Sequence, residues 1–281
     1  MTGKIVRAFN LIEKLDDIYH NGLPDGVTTG WIDLDEFYTV MKGQFTIITG
    51  VPSHGKSEFL DALMVNLAVK HCWKFAVFSP ENHPIEMHMT KIAQKFIGKP
   101  YGRNFNNHMS KEEAARAIDF IDDCFRFYTF ENNEFDINDV LSLTRHSIQE
   151  NNIDGLIIDP WNEIDSARPQ GMTETEYVSR VLSKLRSFSR ANDIHIWQVA
   201  HPKKPDSGRD YLEDPPNLYD VSGSAHWYNK ADVGITVHRP DVFDGTEVHI
   251  YVSKVRFRNI GKPTGGNPVI LNYDKYSGRY S

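Results

Sequence analysis

The chain has 281 residues, 40% hydrophobic and 25% charged, and a formal net charge of −7. A chain near this length can bury about three quarters of its unfolded surface, as one large domain or two small ones, and its acidic balance excludes a protein that coats nucleic acid by overall charge, leaving only a local basic channel. Two cysteines, Cys72 and Cys124, exclude a disulfide framework or a four-cysteine zinc site and read as core residues in a reducing, intracellular setting; no apolar run approaches the ~20 residues of a membrane span.

In residues 4–20, Ile5, Ala8, Phe9, Ile12 and Leu15 recur at helical spacing, with Lys4 and Arg7 ahead of the first acid, Glu13. The spacing predicts a short amphipathic helix rather than a targeting peptide. Residues 21–26 are turn-rich and put a boundary near Asp25. Residues 1–25 are then a helix and linker, docked on their own domain or on a neighbouring subunit, and 26–281 are the main domain.

Residues 44–49 form a β-rich apolar run, and Gly50-Val51-Pro52-Ser53-His54-Gly55-Lys56-Ser57 follows it. The octapeptide fits G-x-x-x-x-G-K-[ST] at each fixed position, and residues 58–69 carry apolar side chains at helical spacing, so the motif has the strand and helix it needs. Glycines let the backbone curl round a phosphate, and successive N–H groups at a helix N-terminus make an anion nest. Lys56 can reach the β- and γ-phosphates of ATP or another nucleoside triphosphate, and the Ser57 hydroxyl can ligate Mg²⁺.

Further along, strands are predicted at 74–79, 125–130, 155–159 and 194–199, and helices at 84–97, 110–123, 136–151 and 175–190. Ser110 and Glu113 have capping-box spacing. A polar, proline-rich loop covers 203–218, and three short strands close the chain at 233–237, 248–252 and 269–273. Strand–helix alternation followed by a β tail predicts an α/β fold: a RecA-like, mostly parallel sheet with helices on both faces and a C-terminal β tail.

Hydrolysis needs more than a phosphate loop. Asp159 ends an apolar strand, where an acid faces the phosphate loop and can hold Mg²⁺ with Ser57, directly or through water. Glu81 follows the strand at 74–79 and is placed to deprotonate an attacking water. Gln198 and His201, at the end of 194–199, could each touch a γ-phosphate and report its loss to the next loop. Lys254 and Arg256 alternate on the run 252–258 and share one face. They suit the γ-phosphate of a neighbouring subunit, as an arginine finger with a helper lysine; the alternative is a charged edge strand that blocks aggregation.

The ordered set resembles the motor domain of ring-shaped replicative DNA helicases. It comprises the phosphate loop, Ser79-Pro80-Glu81, Ile157-Ile158-Asp159-Pro160-Trp161-Asn162, Val199-Ala200-His201-Pro202-Lys203-Lys204, Gly223-Ser224-Ala225-His226, Lys230-Ala231-Asp232 and Ser253-Lys254-Val255-Arg256-Phe257. It is most similar to the Twinkle and phage primase-helicase branch, with the bacterial DnaB type more distant, and it covers about residues 25–281. The resemblance implies Glu81 as catalytic glutamate, Asp159 as metal acid, His201 as phosphate sensor with Gln198 nearer the DnaB-type glutamine, and Lys254 and Arg256 as the trans-acting pair. It further implies that Arg239 and Tyr273 sandwich the adenine. Residues 203–222, with Lys203, Lys204 and Arg209, would form a DNA-contacting channel loop. Asp206, Asp210, Glu213 and Asp214 stand against that, because they cancel the loop's basic charge.

A hexameric ring, 5′-to-3′ translocation on single-stranded DNA, a primase or polymerase partner and docking of residues 4–20 on the adjacent subunit are also implied. So is the cytoplasm of a bacterial or phage-infected cell, with the mitochondrial matrix as the alternative. No primase or zinc-binding region precedes the motor here, so a motor-only protein or a piece of a longer one is expected. Two other functions stay open: a RecA-like DNA-binding ATPase switch in recombination or repair without unwinding, and a nucleotide-binding assembly or packaging factor without DNA contact.

Overall fold

A computed structural model describes residues 5–130, 135–165, 168–222 and 225–281. Lys4 of the predicted amino-terminal helix and Gly223 and Ser224 of the Gly-Ser-Ala-His motif lie outside them. In chain order the helices are α1 (Ile12–Asn21), α2 (Ile32–Asp35), α3 (Lys56–His71), α4 (Ile85–Ile97), α5 (Lys111–Cys124), α6 (Ile137–Asn151), α7 (Asn162–Asp165), α8 (Glu174–Asn192) and α9 (His226–Lys230). The strands are β1 (Phe45–Thr49), β2 (Phe75–Phe78), β3 (Phe125–Phe127), β4 (Gly155–Ile158), β5 (His195–Val199), β6 (Val233–His238), β7 (Glu247–Val255) and β8 (Val269–Asn272).

All eight strands form one sheet in the order β3-β2-β4-β5-β1-β6-β7-β8. Pairing is parallel from β3 to β6 and antiparallel across β6, β7 and β8. Alternation along each strand sends side chains to two separate cores. Ile157 and Trp197 face α3, α4 and α5, whereas Leu156, Ile158 and Ile196 face α6 and α8. Strands buried on both faces read as continuous apolar runs, which is why β1 and β4 were visible in the sequence. The expected α/β sheet with helices on both faces and a β tail is therefore the observed one.

Helix ends follow local chemistry. Ser110 caps α5 and Glu113 reciprocates, as the spacing predicts; Asp136 with Asp139 and Thr173 with Glu176 do the same for α6 and α8.

Four expectations need correction. The amino-terminal helix starts later than residue 4: a 3-10 turn at Ala8–Leu11 leads into α1, and neither buries a residue. The strand predicted at 125–130 stops at Phe127. Cys72 is exposed rather than in the core, because it is the left-handed residue that ends α3, while Cys124 is half-buried. Finally, β7 is not an edge strand. It lies between β6 and β8, although its end runs past the β8 pairing, which stops at Ile250.

The core is tightest where β5 crosses the α3 side. Trp197 is fully buried, donates its indole N–H to the Tyr38 hydroxyl at 3.2 Å, and packs near Phe75 and over His195. Gly155 on β4 is required beneath it, since a Cβ there would come within 2.7 Å of the indole and 2.9 Å of the Phe75 ring. Truncating Trp197 to alanine should cost about 3–5 kcal/mol of unfolding free energy, measured by urea denaturation of the chain without added nucleotide.

Candidate nucleotide site

The phosphate loop sits at the carboxyl end of β1, flanked by β5 and β6, where open parallel sheets bind ligands. Its path needs left-handed backbone at Gly50, Ser53 and Gly55 (φ 147°, 66° and 86°). At Gly50 the requirement is also steric, because a Cβ would run into the Val237 carbonyl oxygen of β6. Val51 and Pro52 span the outer turn between Gly50 and Ser53.

Lys56 opens α3 and folds back over the loop. Its Nζ donates to the Gly50 and Val51 carbonyls at 2.9 and 3.0 Å, and the residue is 5% exposed. Burial pulls the ammonium down to about 8, against the attraction of Asp159 and Glu81. A desolvated cation facing two carbonyl dipoles is a site that an anion would stabilise.

Asp159, one residue past β4, is buried beside it. Burial raises its carboxyl to about 6, while a hydrogen bond from the Ser57 hydroxyl and the charges of His88 and Lys56 work the other way. The Ser57 and Asp159 oxygens thus meet at the phosphate loop, a hard-oxygen pair that fits Mg²⁺ shared with phosphate oxygens.

Glu81 lies on the loop between β2 and α4, half-exposed, with a carboxylate oxygen 4.0 Å from His201 Nε2. His201 follows β5; burial and then Lys56 lower its imidazole to about 4, so it is neutral at physiological pH. Gln198 lies deeper. It is fully buried, its amide donating to the Ile158 and Val199 carbonyls at 3.3 and 3.0 Å. Beta-strand register explains the grouping: Ile158 pairs with Gln198, so Asp159 and the end of β5 leave the sheet together.

His54 was expected only as a loop member. It is 2% exposed, its Nδ1 accepts the Arg239 backbone N–H at 3.1 Å, and its ring lies 5.2 Å from His238. Burial first, then the charges of His238, Lys56 and Arg239, take it to about 4. Arg239 therefore touches the phosphate loop through its backbone, and its guanidinium lies 5.7 Å from the Tyr273 ring centroid. The two side chains stack on each other, so a base between them requires the guanidinium to leave the ring. Tyr280 completes this wall, with its hydroxyl in van der Waals reach of a side chain built at Gly55.

Lys254 and Arg256 make no contact with this pocket among the described residues, and two of the channel-loop cations are tied to acids of their own loop. Lys203 pairs with Asp206 at 3.0 Å; Arg209 pairs with Asp214 at 2.6 Å and Asp220 at 2.5 Å. Lys204 is exposed.

Sequence reasoning missed a buried pair beside Asp159. Asp61 on α3 and His88 on α4 meet at 2.9 Å, and one turn along, Lys95 and Lys91 bind Glu58 at 2.5 and 3.1 Å. These ties fix α4, which carries the Glu81 loop, against the phosphate-loop helix. The available signal was a lone acid, Asp61, inside the apolar run Leu60 to Val65.

Residues 26–266 match the DnaB-like helicase C-terminal domain family. The chain is 40% identical over 283 aligned positions to the Twinkle homolog protein, chloroplastic/mitochondrial, of Arabidopsis thaliana, covering 97% of this chain and 39% of that protein. It is 22% identical to the replicative DNA helicase DnaB of Treponema pallidum, covering 90% of this chain and 56% of the relative. The chain thus spans about two-fifths to just over half the length of these relatives. Among solved structures, an isolated ATPase domain superposes with a TM-score of 0.79 at 19% identity, covering 100% of this chain and 99% of that one. A DnaB-like replicative helicase, described together with its interactions with primase, gives 0.76 at 18%, covering 100% and 67%.

The raised Asp159 carboxyl has a consequence for stability. A folded value of about 6 against an ordinary 3.8 means folding favours the protonated form, so this group's contribution to stability is greatest below about pH 4 and declines as pH rises through 6. Asp159→Asn cannot ionise and should recover roughly 2–3 kcal/mol at pH 8 but little at pH 4, read from urea unfolding without added nucleotide at both values.

Proposed function

The chain belongs to the DnaB-like helicase C-terminal domain family, and from that premise we propose that it is the motor of an ATP-dependent replicative DNA helicase. Identical subunits form a ring, a hexamer by family resemblance, hydrolyse ATP at their interfaces and move 5′ to 3′ on single-stranded DNA.

One observation carries this reading: the cations that would complete the pocket are at the wrong end of their own sheet. Gly234 pairs with Lys254, and Arg256 N–H bonds the Asp232 carbonyl, whose own N–H bonds Phe45. Arg256 therefore lies level with the amino end of β1 and Lys254 level with Ile47 at its middle, whereas the phosphate loop leaves its carboxyl end. Five residues of strand separate the two ends, roughly 17 Å. An arginine finger there serves a neighbour's γ-phosphate and not its own.

Within one subunit, Lys56 and the loop N–H groups hold the phosphates, Glu81 takes a proton from the attacking water, and His201, neutral and beside Glu81, senses the γ-phosphate. Ser57 and Asp159 would hold Mg²⁺, whose charge neutralises the β- and γ-oxygens when bound. The Arg239–Tyr273–Tyr280 wall is the proposed base pocket. Single-stranded DNA contacts the loop after β5 through backbone N–H groups and Lys204, and a primase or polymerase is the proposed partner of the assembly. The compartment is a reducing one, the cytoplasm of a bacterial or phage-infected cell in this reading.

The neutralised Lys203 and Arg209 favour a second reading, a DNA-bound ATPase switch that does not unwind. Strand displacement on a forked duplex separates the two: the motor unwinds with ATP, and the switch binds the fork without opening it.

Two variants test the shared site. Lys56→Ala should cut ATP hydrolysis about a hundred- to a thousandfold by removing phosphate stabilisation. Arg256→Ala should keep nucleotide affinity while turnover falls about a thousandfold, and mixing it with Lys56→Ala subunits should restore part of the rate, because each lends the half-site the other lacks. Absence of recovery on mixing would remove Arg256 from the interface.

A further inference from the structure

Three guanidinium groups converge on one buried carboxylate at the amino end of β6. Asp232 is inaccessible to solvent, and its Oδ1 takes Arg256 Nε at 2.9 Å, Arg186 Nη2 at 3.2 Å and Arg190 Nη2 at 3.3 Å. Its Oδ2 accepts the Phe45 backbone N–H at 3.3 Å. The carboxylate is thus bolted to β1 and cannot follow a moving arginine.

Arg256 is held on two of its nitrogens. Besides Nε on Asp232, Nη2 donates to the Asn229 and Ala231 carbonyls at 2.8 and 3.2 Å, yet the side chain remains 31% exposed. Lys254 uses the same platform: Nζ donates to the Tyr228 carbonyl and lies 4.6 Å from the Tyr228 ring centroid. The end of α9 and the residue after it therefore supply carbonyls, and Asp232 supplies the charge, for both cations.

A long arginine on a strand end would otherwise sample many rotamers, and fixing it costs about 1–2 kcal/mol of side-chain entropy. Here that ordering is done within the subunit, before any partner arrives. Charge counting gives the second half of the argument. Arg186, Arg190, Lys254 and Arg256 carry four positive charges against the single Asp232 carboxylate, so the surface stays anion-seeking. Arg186 and Arg190 also keep the buried carboxylate paired if Arg256 shares its charge with a phosphate, which avoids an uncompensated buried ion.

We propose that Asp232 is the positioning residue of the Lys254–Arg256 pair, aiming the finger at the neighbouring subunit's triphosphate while Arg186 and Arg190 hold its charge. The proposal rests on the reading that Arg256 works in the next subunit's site. The alternative is a staple that only ties β1, α8 and β7 together.

The test uses steady-state MgATP turnover of assembled rings with single-stranded DNA. Asp232→Asn keeps the shape but loses the charge and one of the two acceptor oxygens. It should lower kcat about a hundredfold, the scale of a displaced catalytic group, and leave KM for ATP within about twofold. Mixing with Lys56→Ala subunits should recover rate, as for Arg256→Ala. The double variant Asp232→Asn/Arg256→Ala should be no slower than Arg256→Ala alone, because the two act as one unit.

If Asp232→Asn leaves uncompensated arginines and does not fold, Arg186→Gln/Arg190→Gln/Asp232→Asn removes the charges together and is compared with Arg186→Gln/Arg190→Gln. The triple variant should again be about a hundredfold slower than the double and should again recover on mixing. The proposal is overturned if folded Asp232→Asn turns over like wild type, if its defect is not rescued by Lys56→Ala subunits that do rescue Arg256→Ala, or if triple and double variants run at the same rate. Failure of Arg256→Ala itself to be rescued is a different result: it removes the shared-site reading on which the proposal stands.

Discussion

A single charge held out of water organises the pocket. Lys56 is buried with its ammonium turned onto two loop carbonyls, and it is pulled down to about 8 by that burial. Dipoles alone are weak compensation for a desolvated cation. Everything around it is shifted by the same dryness: Asp159 upward, His201 and His54 downward. The chain's own residues leave the pocket electrostatically incomplete. In the proposed nucleotide complex, a triphosphate with its cation would supply the negative oxygens that Lys56 lacks and a positive charge that brings the raised Asp159 carboxyl back down, so binding and the relief of these groups would be one event.

The shape of the sheet divides the proposed labour between its two ends. The carboxyl ends of β1, β4 and β5 bring Lys56, Asp159 and His201 together, and β2 adds the loop with Glu81. The amino ends of β1 and β6 hold Asp232 and its arginines. Parallel strands of about five residues keep these regions apart at a fixed separation, and the two cores on either face make the sheet stiff enough to serve as a spacer. In the proposed ring, a subunit stacked with one end against the next would sense its neighbour's nucleotide without any change inside the sheet.

Much of the candidate nucleotide site was legible in the sequence because the chemistry there is local. Eight consecutive residues make the phosphate nest, and a strand-ending acid such as Asp159 is placed by the register of its own strand. What could not be read depends on partners far apart in the chain. Asp61 and His88 are separated by 27 positions and Arg186 and Asp232 by 46, and periodicity reports which face a side chain takes, not what it meets there. Cys72 misled for a related reason: apolar neighbours in sequence say nothing about the left-handed turn that ejects it from α3. The loop after β5 read as a DNA-contacting segment whose acids cancel its basic charge. Lys203 and Arg209 are bonded to the loop's own acids, a pairing that composition foreshadowed and only geometry assigns.

Between Val252 and Lys254 the pairing of β7 with β6 slips by one residue, with the Ser253 hydroxyl closing on the Gly234 carbonyl at 3.2 Å. This bulge fixes the parity of the strand. Residues before it and after it obey opposite in–out phases, so Lys254 and Arg256 reach α9 only because one extra residue precedes them. Length variation in this segment is therefore restricted to even steps: the gain or loss of one residue between β6 pairing and Arg256 turns both cations through the sheet to its other side, while two residues merely move them along it.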